Sequence, residues 1–153
     1  MRNINNVSEK DISGGYFSPA QLVIATFSKS NVCKMWDFEK GFLEAQFIVA
    51  SEISNVLMVD PLPLLIIVDV KGTVYLFSTK YLFKRPYTLL TQWKNMYSIQ
   101  KSSQITFISS TFSEATSKNP LTCELILGDE YGYVRVVDLA SFIEEQDLKP
   151  ITP

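Results

Sequence analysis

Apolar residues recur with a period of two in three stretches of the chain: Val32-Cys33-Lys34-Met35-Trp36, Thr73-Val74-Tyr75-Leu76-Phe77 and Tyr133-Val134-Arg135-Val136-Val137. In the first, Cys33 and Met35 share one face and Lys34 takes the other, which is the alternation of a half-buried strand rather than of a helix. A shorter β-type run precedes each stretch, over 22–25, 64–68 and 124–127. The connections at 28–31, 69–72 and 128–132 are short and polar or glycine-containing, so each pair reads as a β-hairpin. A further strand is predicted before each hairpin, approaching Tyr16-Phe17 in the first unit and over 55–59 and 104–108 in the others. A fourth strand is predicted after the first two hairpins, over 42–47 and about 87–93. After the third hairpin the pattern changes. Ser141-Phe142-Ile143-Glu144 has the form of a capping box and Pro150 is a stop, which predicts a short helix over 141–148 where a fourth strand would otherwise fall.

The hairpins are repeats of one another. Aligned on Trp36, Phe77 and Val137, they bring Gly72 and Gly132 into one slot with Asn31, three residues of types that tolerate positive φ. Asp69 and Asp129 coincide, with Ser28 in the first unit; Cys33, Val74 and Val134 coincide, as do Met35, Leu76 and Val136. The spacings are 41 and 60 residues. Most of the excess in the second lies in 113–122, which carries Ser113, Thr116, Ser117, Asn119 and Pro120 with few apolar groups. Such a segment buries too little to offset its ordering entropy, so it is expected to project as a loop between the first and second strands of the third unit. The chain thus divides into a polar segment 1–11, units at 12–50, 51–101 and 102–140 with the insertion 113–122, and a tail 141–153 holding the helix and prolines.

Four-stranded units about 40 residues apart, with Lys34-Met35-Trp36-Asp37, Gly72-Thr73-Val74-Tyr75-Leu76-Phe77-Ser78 and Gly132-Tyr133-Val134-Arg135-Val136-Val137-Asp138 in phase, resemble the WD-repeat family of β-propellers. Phe17-Ser18-Pro19 and Val59-Asp60-Pro61 match the family's turn after a blade's first strand. The resemblance covers 12–140 and implies an all-β fold: three consecutive four-stranded propeller blades, a partial propeller, with a short C-terminal helix. It also implies a scaffold for protein–protein interactions, because propeller rims present loops on a rigid frame. The family's Gly-His pair is missing, so its Asp-His-Ser-Trp hydrogen-bonded tetrad cannot form and the blades are expected to rely on packing. A narrower resemblance, carried by 127–139 with the following helix and by Asp60-Pro61-Leu62-Pro63-Leu64-Leu65 with Asp69 and Gly72, is to large WD-repeat proteins of ciliary axonemes. It implies a cytoskeletal setting with tubulin or axonemal subunits as partners. Calcium is not implied, because no D-x-D-x-D-G loop is present.

Composition narrows the chemistry. The chain has 153 residues, 14 Lys and Arg against 16 Asp and Glu, and a net charge of −2, which argues against bulk attraction to nucleic acid or anionic lipid. The sequence has no histidine, removing His-based triads and His-ligated metals. Cys33 and Cys123 sit in apolar runs outside any C-x-x-C pair, as buried free thiols do, and point to a reducing, cytoplasmic setting. The N-terminal eleven residues lack the apolar core of a secretory signal, and the run 62–68 is far too short to span a bilayer.

The residues singled out carry structural rather than catalytic readings. Asp69 and Asp129 are expected to cap backbone groups in the hairpin turns with Gly72 and Gly132, the alternative being ligand carboxylates. Lys80, Lys84 and Arg85 form a small basic cluster, read either as a solvated edge or as contact for an acidic partner such as tubulin. Its aromatic neighbours Tyr81, Phe83 and Tyr87 also fit a single-stranded nucleic acid pattern, which the net charge disfavours. Thr116 and Lys118 mark the insertion as a docking element or as a mobile surface loop. Glu144, Glu145 and Asp147 form the wet face of the helix. No nucleophile–base pair, P-loop or cofactor site is readable, so no cofactor or metal is expected. The competing class is a propeller enzyme acting on a small molecule or by metal-dependent hydrolysis, and a general cytoplasmic adaptor stands beside the ciliary reading. Three units fall short of the roughly four to eight blades a closed ring needs, so further blades are expected from missing sequence or another chain.

Overall fold

The computed structural model describes residues 11–79, 88–94 and 104–151. Strands β1 (Ile12–Ser18), β2 (Val23–Ser28), β3 (Val32–Asp37) and β4 (Leu43–Ile48) form one antiparallel meander. A second contains β5 (Ile53–Met58), β6 (Leu64–Asp69), β7 (Val74–Ser78) and β8 (Leu89–Trp93). A third contains β9 (Ile105–Ser113), β10 (Thr122–Asp129) and β11 (Val134–Asp138), and is followed by helix α1 (Ala140–Glu145). The first strand of each sheet lies innermost, with β5 touching both β1 and β9, so the sheets radiate as consecutive propeller blades.

Two cores lie between the three blades. Val23, Ala25, Phe27, Cys33, Met35 and Phe47 of the first blade meet Leu65, Ile67, Tyr75 and Phe77 of the second. Leu64, Ile66, Val68, Val74 and Leu76 meet Ile105, Cys123, Leu125 and Leu127 of the third. Strand β6 is buried at all six positions, which explains a run apolar on both faces instead of alternating. Alternation survives in β3, where Cys33 and Met35 face the second blade while Lys34 and Trp36 face away.

The third blade has three strands among the described residues, and α1 stands where the fourth would be, as the change of pattern after the third hairpin predicts. Leu139, Ile143 and Leu148 enter the core between blades two and three, and Phe142 meets Trp93 edge-on at 6.5 Å, so the tail does more for the core as a helix than as an exposed edge strand. Two expectations need correction, the start of the helix and the bounds of the insertion. The helix does not begin with a Ser141 capping box. Leu139 is the N-cap without a side-chain bond, and Asp138 Oδ1 accepts the Ala140 N–H at 2.9 Å. The insertion is shorter than 113–122. Its two end residues are strand: β9 runs past 108 to Ser113, which pairs with Thr122 at the start of β10, leaving 114–121 as the loop.

The turns follow from local chemistry. Gly72 (φ 81°) and Gly132 (φ 87°) adopt the left-handed conformation that a side chain disfavours. Asn31, in the equivalent slot, has no positive φ; its Nδ2 donates to the Val49 carbonyl at 3.0 Å and ties the hairpin to the connection between blades one and two.

Candidate protein-docking surface

Because each blade is an up-and-down meander, its connections alternate between two rims. One rim carries the hairpin turns with Asp69 and Asp129. Asp69 is 1% exposed, and its Oδ1 accepts the Lys71 and Thr73 N–H groups at 3.0 Å each. Its Oδ2 accepts the Tyr75 hydroxyl at 3.0 Å, and the Tyr75 hydroxyl oxygen in turn accepts the Ala50 N–H at 3.2 Å. This relay links the turn to the strand-to-blade connection, and burial raises the Tyr75 phenol above its usual range. Asp129 Oδ1 accepts the Tyr131 and Tyr133 N–H groups at 3.0 and 2.9 Å. The expectation that these blades hold together by packing alone is therefore too strong. A tyrosine on β7 completes a side-chain relay without histidine, and in the first blade Trp36 Nε1 donates to Thr26 Oγ1 at 3.1 Å.

The opposite rim carries the turns after the inner strands. There the Ser18 hydroxyl donates to Asp60 Oδ1 at 2.6 Å, joining blades one and two, and the Thr79 hydroxyl donates to Gln21 Oε1 at 2.9 Å. Burial pushes the Asp60 carboxyl above its usual range, against the lowering effect of Ser18 and the Ala20 amide. The loop 114–121 leaves from this same rim. Thr116 closes it: Oγ1 accepts the Asn119 N–H at 3.0 Å and the Lys118 N–H at 3.3 Å, while the Thr116 N–H donates to the Asn119 carbonyl at 2.8 Å. Thr116 and Lys118 are both exposed.

Between this loop and α1 lie two clefts. One, of about 190 Å³, has an apolar floor of Phe112, Leu121, Ile143 and Leu148 with Glu114, Glu144, Asp147 and Lys149 around it, the Lys149 ammonium lying 3.4 Å from Asp147 Oδ1. The other, of about 530 Å³, is lined by Pro120, Cys123, Glu124, Asp138, Ser141 and Glu144. Sequence reading placed Glu144 and Asp147 on a wet helix face but missed Glu124 and Asp138, because only the β10–β11 register sets these two opposite each other. Lys80, Lys84 and Arg85 lie outside the described residues. Among the described residues, no three His, Cys, Asp or Glu side chains are grouped to hold a metal, and no helix is long and apolar enough to cross a membrane.

Both thiols are buried. Burial pushes Cys33 up to about 12; burial, with Asp138 and Glu124 adding to it, pushes Cys123 up to about 11. Thiolates are the reactive form. Iodoacetamide at pH 8 is therefore expected to leave both cysteines unmodified in the folded chain and to alkylate both in denaturant, read by intact mass. Alkylation of either at the rate of a free thiol without denaturant would contradict this packing.

No protein-family model matches the sequence, and no curated protein matches it. Solved structures do. The chain superposes on the crystal structure of Saccharomyces cerevisiae Sqt1 with a TM-score of 0.63 and 11% identity, covering 84% of this chain and 31% of that one. It matches the C-terminal WD40 domain of Sif2 at 0.60 and 16% identity, covering 85% and 34%, and the Dos1 propeller at 0.57 and 23% identity, covering 91% and 36%. The chain has the fold of a WD-repeat β-propeller, as three consecutive blades, and spans about a third of the length of these propellers.

Proposed function

We propose that this chain is a non-enzymatic scaffold that holds other proteins in a large intracellular assembly. The supporting observation is the rim of the third blade, where a turn-closed loop and a helix flank an apolar-floored cleft with a charged rim on a three-blade frame. The narrower sequence resemblance favours a cytoskeletal assembly, the ciliary axoneme, with tubulin or axonemal subunits among the partners. The larger neighbouring cleft, lined by Glu124, Asp138 and Glu144, suits a basic segment, whereas an acidic tubulin surface would have to meet the Lys80–Arg85 edge.

The test is deletion of 114–119 in the full-length protein. The loop's internal hydrogen bonds are exposed, so thermal stability is expected to change little. Incorporation into the native assembly, read by localisation of the tagged protein and by co-purification, is expected to be lost. Normal incorporation would move the docking surface to the Lys80–Arg85 edge. Localisation of the undeleted protein to a nucleus or secretory lumen, with none in cilia, would sink the axonemal setting.

A further inference from the structure

The two clefts beside α1 share a wall. Leu121 and Glu144 line both, so the apolar floor of the smaller adjoins the carboxylates of the larger in one groove. The charges along that groove are unequal. Glu114, Glu144 and Asp147 edge the smaller cleft and Glu124 and Asp138 the larger, whereas Lys149 is the basic residue of the two linings. Lys149 is already matched: its ammonium lies 3.4 Å from Asp147 Oδ1, and both side chains stand largely in water. Lys118, on the loop, is exposed and lines neither cleft. The acidic side is anchored, since Asp138 Oδ1 accepts the Ala140 N–H at 2.9 Å and Glu124 lies opposite Asp138 across the β10–β11 ladder. The floor is anchored as well, since Ile143 and Leu148 belong to the core between blades two and three. Every lining residue comes from the third blade, its loop or its tail, so the groove is built without reference to what adjoins the ends of the arc.

We propose that this groove takes an extended basic segment of a partner protein, one that carries a large apolar side chain within a residue or two of arginine or lysine. The apolar side chain fills the smaller cleft, whose volume of about 190 Å³ has room for one such group over Phe112, Ile143 and Leu148. The cationic side chains lie in the larger cleft. Their methylene stems run along Pro120 and Leu121, and their heads meet Glu124, Asp138 and Glu144. The apolar contact supplies affinity, and the charges select the partner and speed the encounter. An acidic or phosphorylated segment is repelled by the same carboxylates. This inference rests on the docking-surface reading of the third-blade rim and adds the chemistry that the partner must have.

The probe is a fluorescein-labelled peptide, Gly-Arg-Leu-Arg-Arg-Leu-Gly, added to the purified chain. It is expected to bind, and the amide resonances of 114–121 and of α1 are expected to shift. Serine in place of both leucines is expected to weaken binding about tenfold. Glutamine in place of every arginine is expected to abolish it. Glu124→Gln and Glu144→Gln, both at exposed positions, are each expected to weaken it about two- to fivefold. Glu39→Gln removes the same charge from an exposed turn of blade one and is expected to leave binding unchanged. No binding at millimolar peptide overturns the proposal, as does an effect of Glu39→Gln equal to that of Glu144→Gln, which would show attraction to net charge alone. In the full-length protein, the double variant Glu124→Gln, Glu144→Gln separates this proposal from the reading beneath it. Loss of incorporation in both the double variant and the 114–119 deletion supports the proposal. Loss in the deletion with normal incorporation of the double variant keeps the rim as a docking surface and overturns the basic segment as its occupant.

Discussion

Replacing Asp69 with alanine is expected to cost about 3–5 kcal/mol of folding stability, whereas the same change at Asp129, its repeat equivalent, costs about 1 kcal/mol. The two carboxylates sit in the same slot of the same turn, so the difference comes from what surrounds them. Asp69 accepts two backbone N–H groups and the Tyr75 hydroxyl, and both Thr73 and Tyr75 are less than a tenth exposed. Removing the carboxylate leaves a buried amide and a buried phenol without an acceptor, and each such orphan costs about 1–3 kcal/mol. Asp129 is itself buried, but the residues whose amides it accepts, Tyr131 and Tyr133, are 61% and 52% exposed, so water can reach those amides when the carboxylate is removed. Urea titration of the two variants measures the contrast. Tyr75→Phe supplies the control: it removes the hydroxyl that joins Asp69 to Ala50, so its effect and that of Asp69→Ala are expected to be less than additive in the double variant, by about 1 kcal/mol. Equal costs at Asp69 and Asp129 would show that the relay through Tyr75 contributes nothing.

The hairpins were legible because two signals coincide there. Period-two alternation marks the strands, and an Asp three residues before a Gly marks the turn, so β6–β7 and β10–β11 fall where the pattern puts them. What the pattern conceals is anything decided by a partner element. The run Ser109-Ser110-Thr111 has no apolar alternation, yet it is strand, because β10 supplies its ladder. The Tyr75 relay joins a strand to a backbone amide 25 residues earlier, a contact that no local motif announces. Val134 and Val136 have the alternation of core residues; only the absence of a following blade among the described residues makes them surface. The acidic lining beside α1 was invisible for the same reason, since Glu124, Asp138 and Glu144 come together through register and the path of the helix.

Leu65→Ala and Ile66→Ala are each expected to destabilise the chain by about 2–5 kcal/mol, although the two side chains are neighbours in sequence and point in opposite directions. In a sheet with one wet face, one of the pair would be solvent-exposed and its truncation nearly free. Here β6 is the middle of the arc. Leu65 packs with Ala25, Cys33 and Met35 toward blade one, and Ile66 with Cys123, Leu125 and Leu127 toward blade three; both are fully buried. Each truncation opens a cavity in a separate core, so the two losses are expected to add in the double variant to within about 0.5 kcal/mol. That sum is a large share of the ~5–15 kcal/mol typical of a folded domain, so the double variant should be largely unfolded near 37 °C. Equilibrium urea denaturation of both single variants, with Val136→Ala as the exposed comparison, reads the result. Val136→Ala should cost under 1 kcal/mol, because its side chain is more than half in water. A near-zero effect at either Leu65 or Ile66 would mean that one side of the second blade is not covered, and the stacking of three blades would have to be abandoned.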